Sequence, residues 1–110
     1  MSDDKTSLSD EEVNLQFRKI ADAFIGLAND QSNRFNKEVV SLALLYAAAR
    51  FNVFIVAGHA DDATAYDRGR DSAFDYFTGE YQRMLEENLD QYREVFGQQK
   101  YQHLMPDRPN

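Results

Sequence analysis

Apolar positions along the chain recur at alternating spacings of four and three residues, the period of an amphipathic helix. The first such stretch follows Ser9 and Glu12, a start pattern in which each side chain can bond the backbone amide of the other. Residues 29–33 are poor helix formers whose side chains bond local backbone, so we expect the helix to end there. Its apolar stripe consists of Val13, Phe17, Ile20, Phe24 and Leu27.

The second and third stretches differ in how their apolar residues are distributed. A helix beginning near Asn36 is apolar on nearly every side over residues 39–57, and Gly58 can end it. The third helix is expected to start after a cap at Asp61 or Asp62 and to run to about residue 96, followed by Gly97 in the left-handed conformation. Its stripe consists of Tyr66, Ala73, Phe77, Tyr81, Met84, Asn88, Tyr92 and Val95.

Three long helices without a strand signal define the expected fold. Proline occurs only at Pro106 and Pro109, so the strongest helix breaker is absent from most of the chain. The sequence predicts an all-α protein, a three-helix antiparallel bundle with long helices. We expect one helical domain over residues 9–97, a disordered N-terminal tail over residues 1–8 and a C-terminal tail over residues 98–110.

The apolar second helix has the length of a membrane span and must be tested as one. Arg50 and Asn52 lie inside it, and a central Arg costs roughly 2.5–3.5 kcal/mol even on insertion scales. No basic cluster fixes an orientation across a bilayer. We therefore expect a buried central helix and no membrane partner.

A helix that is apolar all round needs neighbours on most sides, and two helices with one stripe each cannot enclose it. A second copy of the chain would supply the missing neighbour, and the alanines at residues 47–49 allow close approach of two helices. The sequence thus predicts a homodimer formed through helix 2. The alternative is a monomer with broader stripes, in which the C-terminal tail covers the remaining surface.

Composition limits the classes of function. The chain has 110 residues, 19 acidic and 12 basic side chains, a net charge of −7 and no cysteine. It is too short for a cofactor domain plus a substrate domain, and without thiols it cannot form disulfides, thiolate metal sites or iron–sulfur clusters. Its negative charge disfavours nucleic-acid binding. The acidic start lacks the features of a secretory signal, so we expect a cytoplasmic protein.

Charge is distributed unevenly along the chain. Residues 61–97 hold 10 acidic and 4 basic side chains, whereas residues 34–60 hold 1 and 3. This layout predicts that acidic faces of the outer helices point to solvent and that helix 2 is hidden. It is also compatible with an acidic protein that mimics nucleic acid and occupies a basic partner.

Few residues are candidates for chemistry. His59 and Asp62 lie at the corner between helices 2 and 3 and would suit a metal or small ligand, although a helix cap beside a solvated His is the favoured interpretation. Arg50 should form an ion pair with an acid of helix 3 or of a dimer mate, or anchor an anionic ligand. No catalytic residue, metal site or cofactor is predicted. The ligand or interface candidates are Tyr46, Arg50, Asn52, His59, Asp62 and Tyr66.

Asn52 and the tyrosines suit an interface. Asn52 is short and polar, and such a residue can fix the pairing register of an otherwise apolar contact. Tyr46 and Tyr66 can bury their rings while keeping a polar tip, which suits core edges and interfaces.

Three segments resemble a known family. They are ADAFIGLAN at residues 21–29, LLYAAARFNVF at residues 44–54, and the pair YFTGEY and MLEENLD within residues 76–90. Together they resemble a small proteobacterial family of unknown function, domain of unknown function 3144, over about residues 14–96. The resemblance implies an all-helical bacterial domain and carries no activity. Val53 departs from the small residue associated with that position in the family.

The sequence therefore favours an acidic, cytoplasmic, non-enzymatic helical protein that self-associates and serves as an interaction or regulatory module. The second hypothesis is a small-ligand or metal-binding protein that uses the corner between helices 2 and 3. The third is an acidic nucleic-acid mimic that binds a basic protein partner.

Overall fold

A computed structural model of the chain describes residues 8–97. Within that range the order of elements is α1 (Asp10–Ser32), α2 (Lys37–Gly58) and α3 (Ala63–Phe96), with no strand. The all-α class and the three long helices are confirmed for the described residues. Completion of the fold by dimerisation stays a prediction. The two predicted tails lie almost wholly outside the described residues.

The start of α1 is fixed by a reciprocal pair of hydrogen bonds. The Glu12 N–H donates to Ser9 Oγ at 3.1 Å, and the Ser9 N–H donates to Glu12 Oε1 at 2.9 Å. Two amides that lack a helical acceptor are thereby satisfied, and Asp10 and Glu11 add negative charge at the positive end of the helix dipole. The predicted start signal is confirmed.

Side-chain oxygens also mark the boundary between α1 and α2. The Ser32 hydroxyl donates to the Ala28 carbonyl at 2.9 Å in the last turn of α1. Asn36 Oδ1 then accepts from the Glu38 and Val39 amides at 2.8 and 3.3 Å, which caps α2 one residue before it begins. Both predicted boundaries are confirmed. At the end of α1 a short polar side chain competes with the backbone for hydrogen bonds, and at the start of α2 another one caps free backbone amides.

Helix α3 runs without interruption for 34 residues after an N-cap at Asp62. Its C-terminal residue differs from expectation: Gly97 has φ −80°, in the right-handed region. The prediction of a left-handed Gly97 is therefore wrong. The physical reason is that the Gly97 amide already donates to the Glu94 and Val95 carbonyls, so a tightened right-handed turn closes the helix.

Polar side-chain contacts in the described range are local. Arg83 of α3 lies 2.8 Å from Glu80 and 3.9 Å from Glu87, and its hydrogen bond and attraction to Glu80 raise the pKa of the Arg83 guanidinium. Throughout residues 8–97, each side-chain hydrogen bond joins residues no more than four apart. Such bonds stabilise individual helices, so apolar burial must provide any tertiary stability.

The chain divides into two units, Met1–Ile55 and Val56–Asn110, with the border inside α2. No residue in the described range is buried in either unit. The half-buried positions of the first unit are Leu8, Ala21, Ala28, Gln31, Ser32, Val40 and Asn52. Those of the second are Val56, Ala60, Ala65, Tyr66, Ala73, Phe77, Glu80 and Val95.

Helix α2 has no buried residue: all its residues are exposed or half-buried in the single chain. A helix that is apolar all round needs neighbours on most sides. Its burial as the central helix, which was expected to need a second copy of the chain, stays a prediction.

The capping box of α1 gives the first prediction. Ser9→Ala should lower the free energy of unfolding by about 1 kcal/mol, because the Glu12 amide loses its acceptor. The measurement is urea unfolding followed by far-ultraviolet circular dichroism at one fixed protein concentration. Ser72→Ala, at an exposed position inside α3, is the matched control and should leave the midpoint unchanged or slightly raised. Equal effects of the two substitutions would contradict the capping role.

Candidate functional site

Helix α2 presents two faces that differ in exposure. At 100° per residue, one side of about 120° carries an apolar surface with a single charge, which we call the outer face. Four of its large apolar residues, Val39, Leu42, Tyr46 and Phe54, expose 61–67% of their area and Val53 exposes 49%, whereas Leu44, Leu45 and Ile55 on the opposite side, the far face, expose 39–45%. The outer face consists of Val39, Leu42, Ala43, Tyr46, Arg50, Val53, Phe54 and Ala57.

Tyr46 and Arg50 lie at the centre of the outer face. They are one turn apart, and Arg50 Nη1 donates to Tyr46 Oη over 3.4 Å. A hydrogen bond of that length is weak, so it orients the guanidinium more than it stabilises the helix. A guanidinium carries further N–H donors and a planar face, which can bind an acceptor or an aromatic ring.

The ion pair predicted for Arg50 is not made within residues 8–97. The ion pairs of that range belong to Arg70 and Arg83. Arg50 is exposed, and a solvated guanidinium gains little from recruiting a carboxylate. An ion pair with an acid of helix 3 or of a dimer mate stays a prediction.

Aromatic rings flank Arg50 on the same helix. The Phe51 and Phe54 rings are 5.9 Å apart between centroids and tilted by 33°. Phe51 exposes 62% of its area. A charged side chain with large exposed rings beside it is typical of the residues that dominate binding energy at protein interfaces.

Asn52 lies away from these residues. It is half-buried and projects from the far face, about 160° around the helix from Arg50. Arg50 and Asn52 therefore lie on different sides of α2. The proposed role of Asn52 in setting a pairing register stays a prediction.

The corner after α2 is organised as a helix start. Asp62 Oδ1 accepts from the Ala65 amide at 2.9 Å, and the Tyr66 amide donates to the Asp62 carbonyl at 3.0 Å. His59 is exposed and Tyr66 is half-buried. These contacts confirm the interpretation of Asp62 as a helix cap beside a solvated His. Within residues 8–97 no group of three or more His, Asp or Glu side chains is placed to hold a metal ion.

The predicted site residues thus fall at separate places along the chain: Tyr46 and Arg50 on the outer face, Asn52 on the far face, and His59, Asp62 and Tyr66 around the start of α3. Sequence reasoning missed Val39, Leu42 and Phe54 as surface residues. An all-round apolar helix gives no periodic signal that separates one face from another. The only usable signal was the pair Tyr46 and Arg50. They lie four residues apart, so their polar groups project from the same side of α2 and identify the outer face.

By length and composition, α2 is also able to cross a membrane, and it is the only such helix among the described residues. None of its most apolar window is buried in the single chain. Helices at the core of water-soluble proteins pass the same test of length and composition. Among the described residues, the apolar surface of α2 is therefore open to solvent.

The capping role of Asp62 gives the second prediction. Asp62→Ala should lower the free energy of unfolding by about 1 kcal/mol, because the Ala65 amide loses its acceptor. Asp62→Asn is the matched control, since asparagine caps as well as aspartate, and it should unfold close to the unsubstituted chain. Urea unfolding at fixed protein concentration measures both. A loss as large for Asn as for Ala would show that the charge matters beyond capping.

Comparison with known proteins supplies the family. No curated protein and no solved structure matches the chain. A family model described as Protein of unknown function (DUF3144) matches residues 17–93, which include all of α2 and most of α1 and α3. The match confirms the resemblance found in the sequence and adds no activity. The chain is a member of the DUF3144 family of proteins of unknown function.

Proposed function

We propose that this protein is a non-catalytic helical module of the cytoplasm that self-associates through α2 and serves in interaction or regulation. The observation that carries the proposal is the exposure of the α2 outer face. Four large apolar residues of the outer face, and Phe51 beside it, expose more than three fifths of their area: Val39, Leu42, Tyr46, Phe54 and Phe51. A surface of this kind marks an interaction site.

Contact between water and large apolar side chains costs free energy, which a partner can recover by covering them. Full burial of a large apolar side chain contributes about 1.5–3 kcal/mol, so half-covering five of them offsets several kcal/mol of association entropy. Backbone hydrogen bonds of α2 are satisfied inside the helix, which leaves side-chain area as the main driving force. A partner that covers the outer face would stabilise the protein as well as bind it.

A second copy is the partner that the chain itself supports best. It is present wherever the protein is made, and a two-fold contact needs a single self-complementary surface. The outer face suits this contact because one charge, at Arg50, interrupts an otherwise apolar strip. The excess of acidic side chains over residues 61–97 would keep the assembly in solution.

Membrane insertion is the competing use of an exposed apolar helix. It would place Arg50 near the middle of the hydrocarbon, at a cost of roughly 2.5–3.5 kcal/mol on insertion scales. Asn52 would add a second polar group without a hydrogen-bond partner inside the same helix. Both residues are readily accommodated at a protein interface, where solvent and partner groups reach them.

The two other hypotheses have less support. A ligand site at the corner after α2 would have to compete with the Ala65 amide for Asp62 Oδ1. Mimicry of nucleic acid uses the acidic side chains of residues 61–97 but leaves the apolar outer face of α2 without a purpose. Self-association accounts for that face directly.

Sedimentation equilibrium provides the third prediction. The unsubstituted chain should be dimeric at tens of micromolar, the range of a moderate-affinity contact. Leu42→Glu combined with Phe54→Glu should weaken the dimer at least tenfold, because two carboxylates would have to be desolvated in the contact. Phe74→Glu is the control: Phe74 lies on α3 and, at 64%, is nearly as exposed as Phe54 at 67%. A monomer at these concentrations, or equal losses from the α2 and α3 substitutions, would overturn the proposal.

Vesicle flotation provides the fourth prediction. With phosphatidylcholine vesicles containing a fifth of anionic lipid, the protein should stay in the dense fraction, because its outer face is covered by a second copy. Arg50→Leu removes the charge that opposes insertion and serves as the comparison. Flotation of the unsubstituted chain would show that a bilayer covers α2 and would contradict self-association as its purpose.

A further inference from the structure

We infer that the two copies pair their α2 helices antiparallel, with Tyr46 of each chain against Arg50 of the other. The inference rests on the self-association proposed above and adds the orientation, the register and the residues of the contact. It is drawn from the spacing of the outer face, the position of its one charge and the charges at the two ends of the helix.

The outer face contains a line of residues with the spacing of a two-helix contact. Val39, Ala43, Tyr46, Arg50 and Val53 follow one another at steps of four, three, four and three residues. Alternating steps of this kind keep a seam facing a partner helix over many turns. All five residues are exposed in the single chain, so the seam is open to a partner.

The position of Arg50 decides the direction of pairing. In a parallel pair each seam residue meets its own copy, which sets Arg50 beside the partner's Arg50 in one layer. Like charges in one layer of a desolvated contact are unfavourable. In an antiparallel pair centred on residue 48, Tyr46 shares a layer with the partner's Arg50, and Ala43 with the partner's Val53.

The layer formed by Tyr46 and Arg50 is favourable for a chemical reason. A guanidinium against the face of a tyrosine ring gains a cation–π interaction and keeps its donors at the edge of the contact. The hydrogen bond from Arg50 to Tyr46 within one chain already holds the two side chains on the same line. Both copies then contribute an identical pair, one on each side of the two-fold axis.

Charges at the ends of α2 are complementary in the same orientation. Arg34, Lys37 and Glu38 lie at its N-terminal end, which carries one net positive charge, and Asp61 and Asp62 follow its C-terminal end. Antiparallel pairing brings each basic end to the partner's acidic end, whereas parallel pairing brings like charges together. The opposed helix dipoles favour the same arrangement.

Cysteine pairing tests the orientation without interference, because the chain has no cysteine of its own. Ala43→Cys and Val53→Cys chains, one of them carrying an affinity tag, are oxidised separately and as a mixture. The expected result is a covalent heterodimer in the mixture and little product from either variant alone. In the antiparallel pair each cysteine lies about 15 Å along the axis from its own copy, beyond the reach of a disulfide.

Ala48→Cys is the matched control. Residue 48 is level with the proposed two-fold axis but projects from the far face, so it should not cross-link. Efficient cross-linking of this variant would show that the far faces meet and would overturn the inference. Cross-linking of Ala43→Cys or Val53→Cys alone would show a parallel pair and overturn it as well.

Sedimentation separates failure of the inference from failure of the proposed function. If the protein is a dimer but the mixed cysteine variants do not cross-link, self-association stands and the antiparallel pairing along the seam is wrong. If the protein is a monomer, both proposals are wrong.

Discussion

The structure depends on one constraint: α2 is apolar around nearly its whole circumference, and none of its residues is buried among the described residues. The helix forms because its backbone bonds are internal and its ends are capped by local polar groups. Its side chains, in contrast, have no buried position anywhere in the described range. The proposed function follows from this difference: the backbone polar groups of α2 are hydrogen-bonded within the helix, whereas its apolar side chains are exposed to water.

This constraint also explains why the chemistry of the chain is concentrated at helix ends and on one charged position. Ser9, Asn36 and Asp62 use their side-chain oxygens to complete helices. Arg50 is the exception, since it carries a charge in the middle of an apolar face and contacts only Tyr46 of its own chain among the described residues. A residue of this kind limits which surface can cover α2, because its charge must stay hydrated or paired.

Helix boundaries could be predicted from the sequence because local chemistry sets them. Capping residues and poor helix formers act within a few positions, which is why Ser9, Asn36, Gly58 and Asp62 marked the correct places. The conformation of Gly97 was missed because two geometries can close a helix with the same residue type. Burial of α2 depends on area supplied by other elements, which no local pattern reports. The outer face had to be found from exposure, since only Tyr46 and Arg50 distinguish it in the sequence.

Hydrogen exchange at several protein concentrations tests most directly whether a second copy covers α2, because it measures the protection of each backbone amide of that helix. The account predicts that amide protection over Lys37–Gly58 rises with protein concentration, while the first turn of α1 exchanges at a constant rate. Protection of α2 that is the same from nanomolar to high micromolar concentration would contradict it, because the cover would then come from the chain itself.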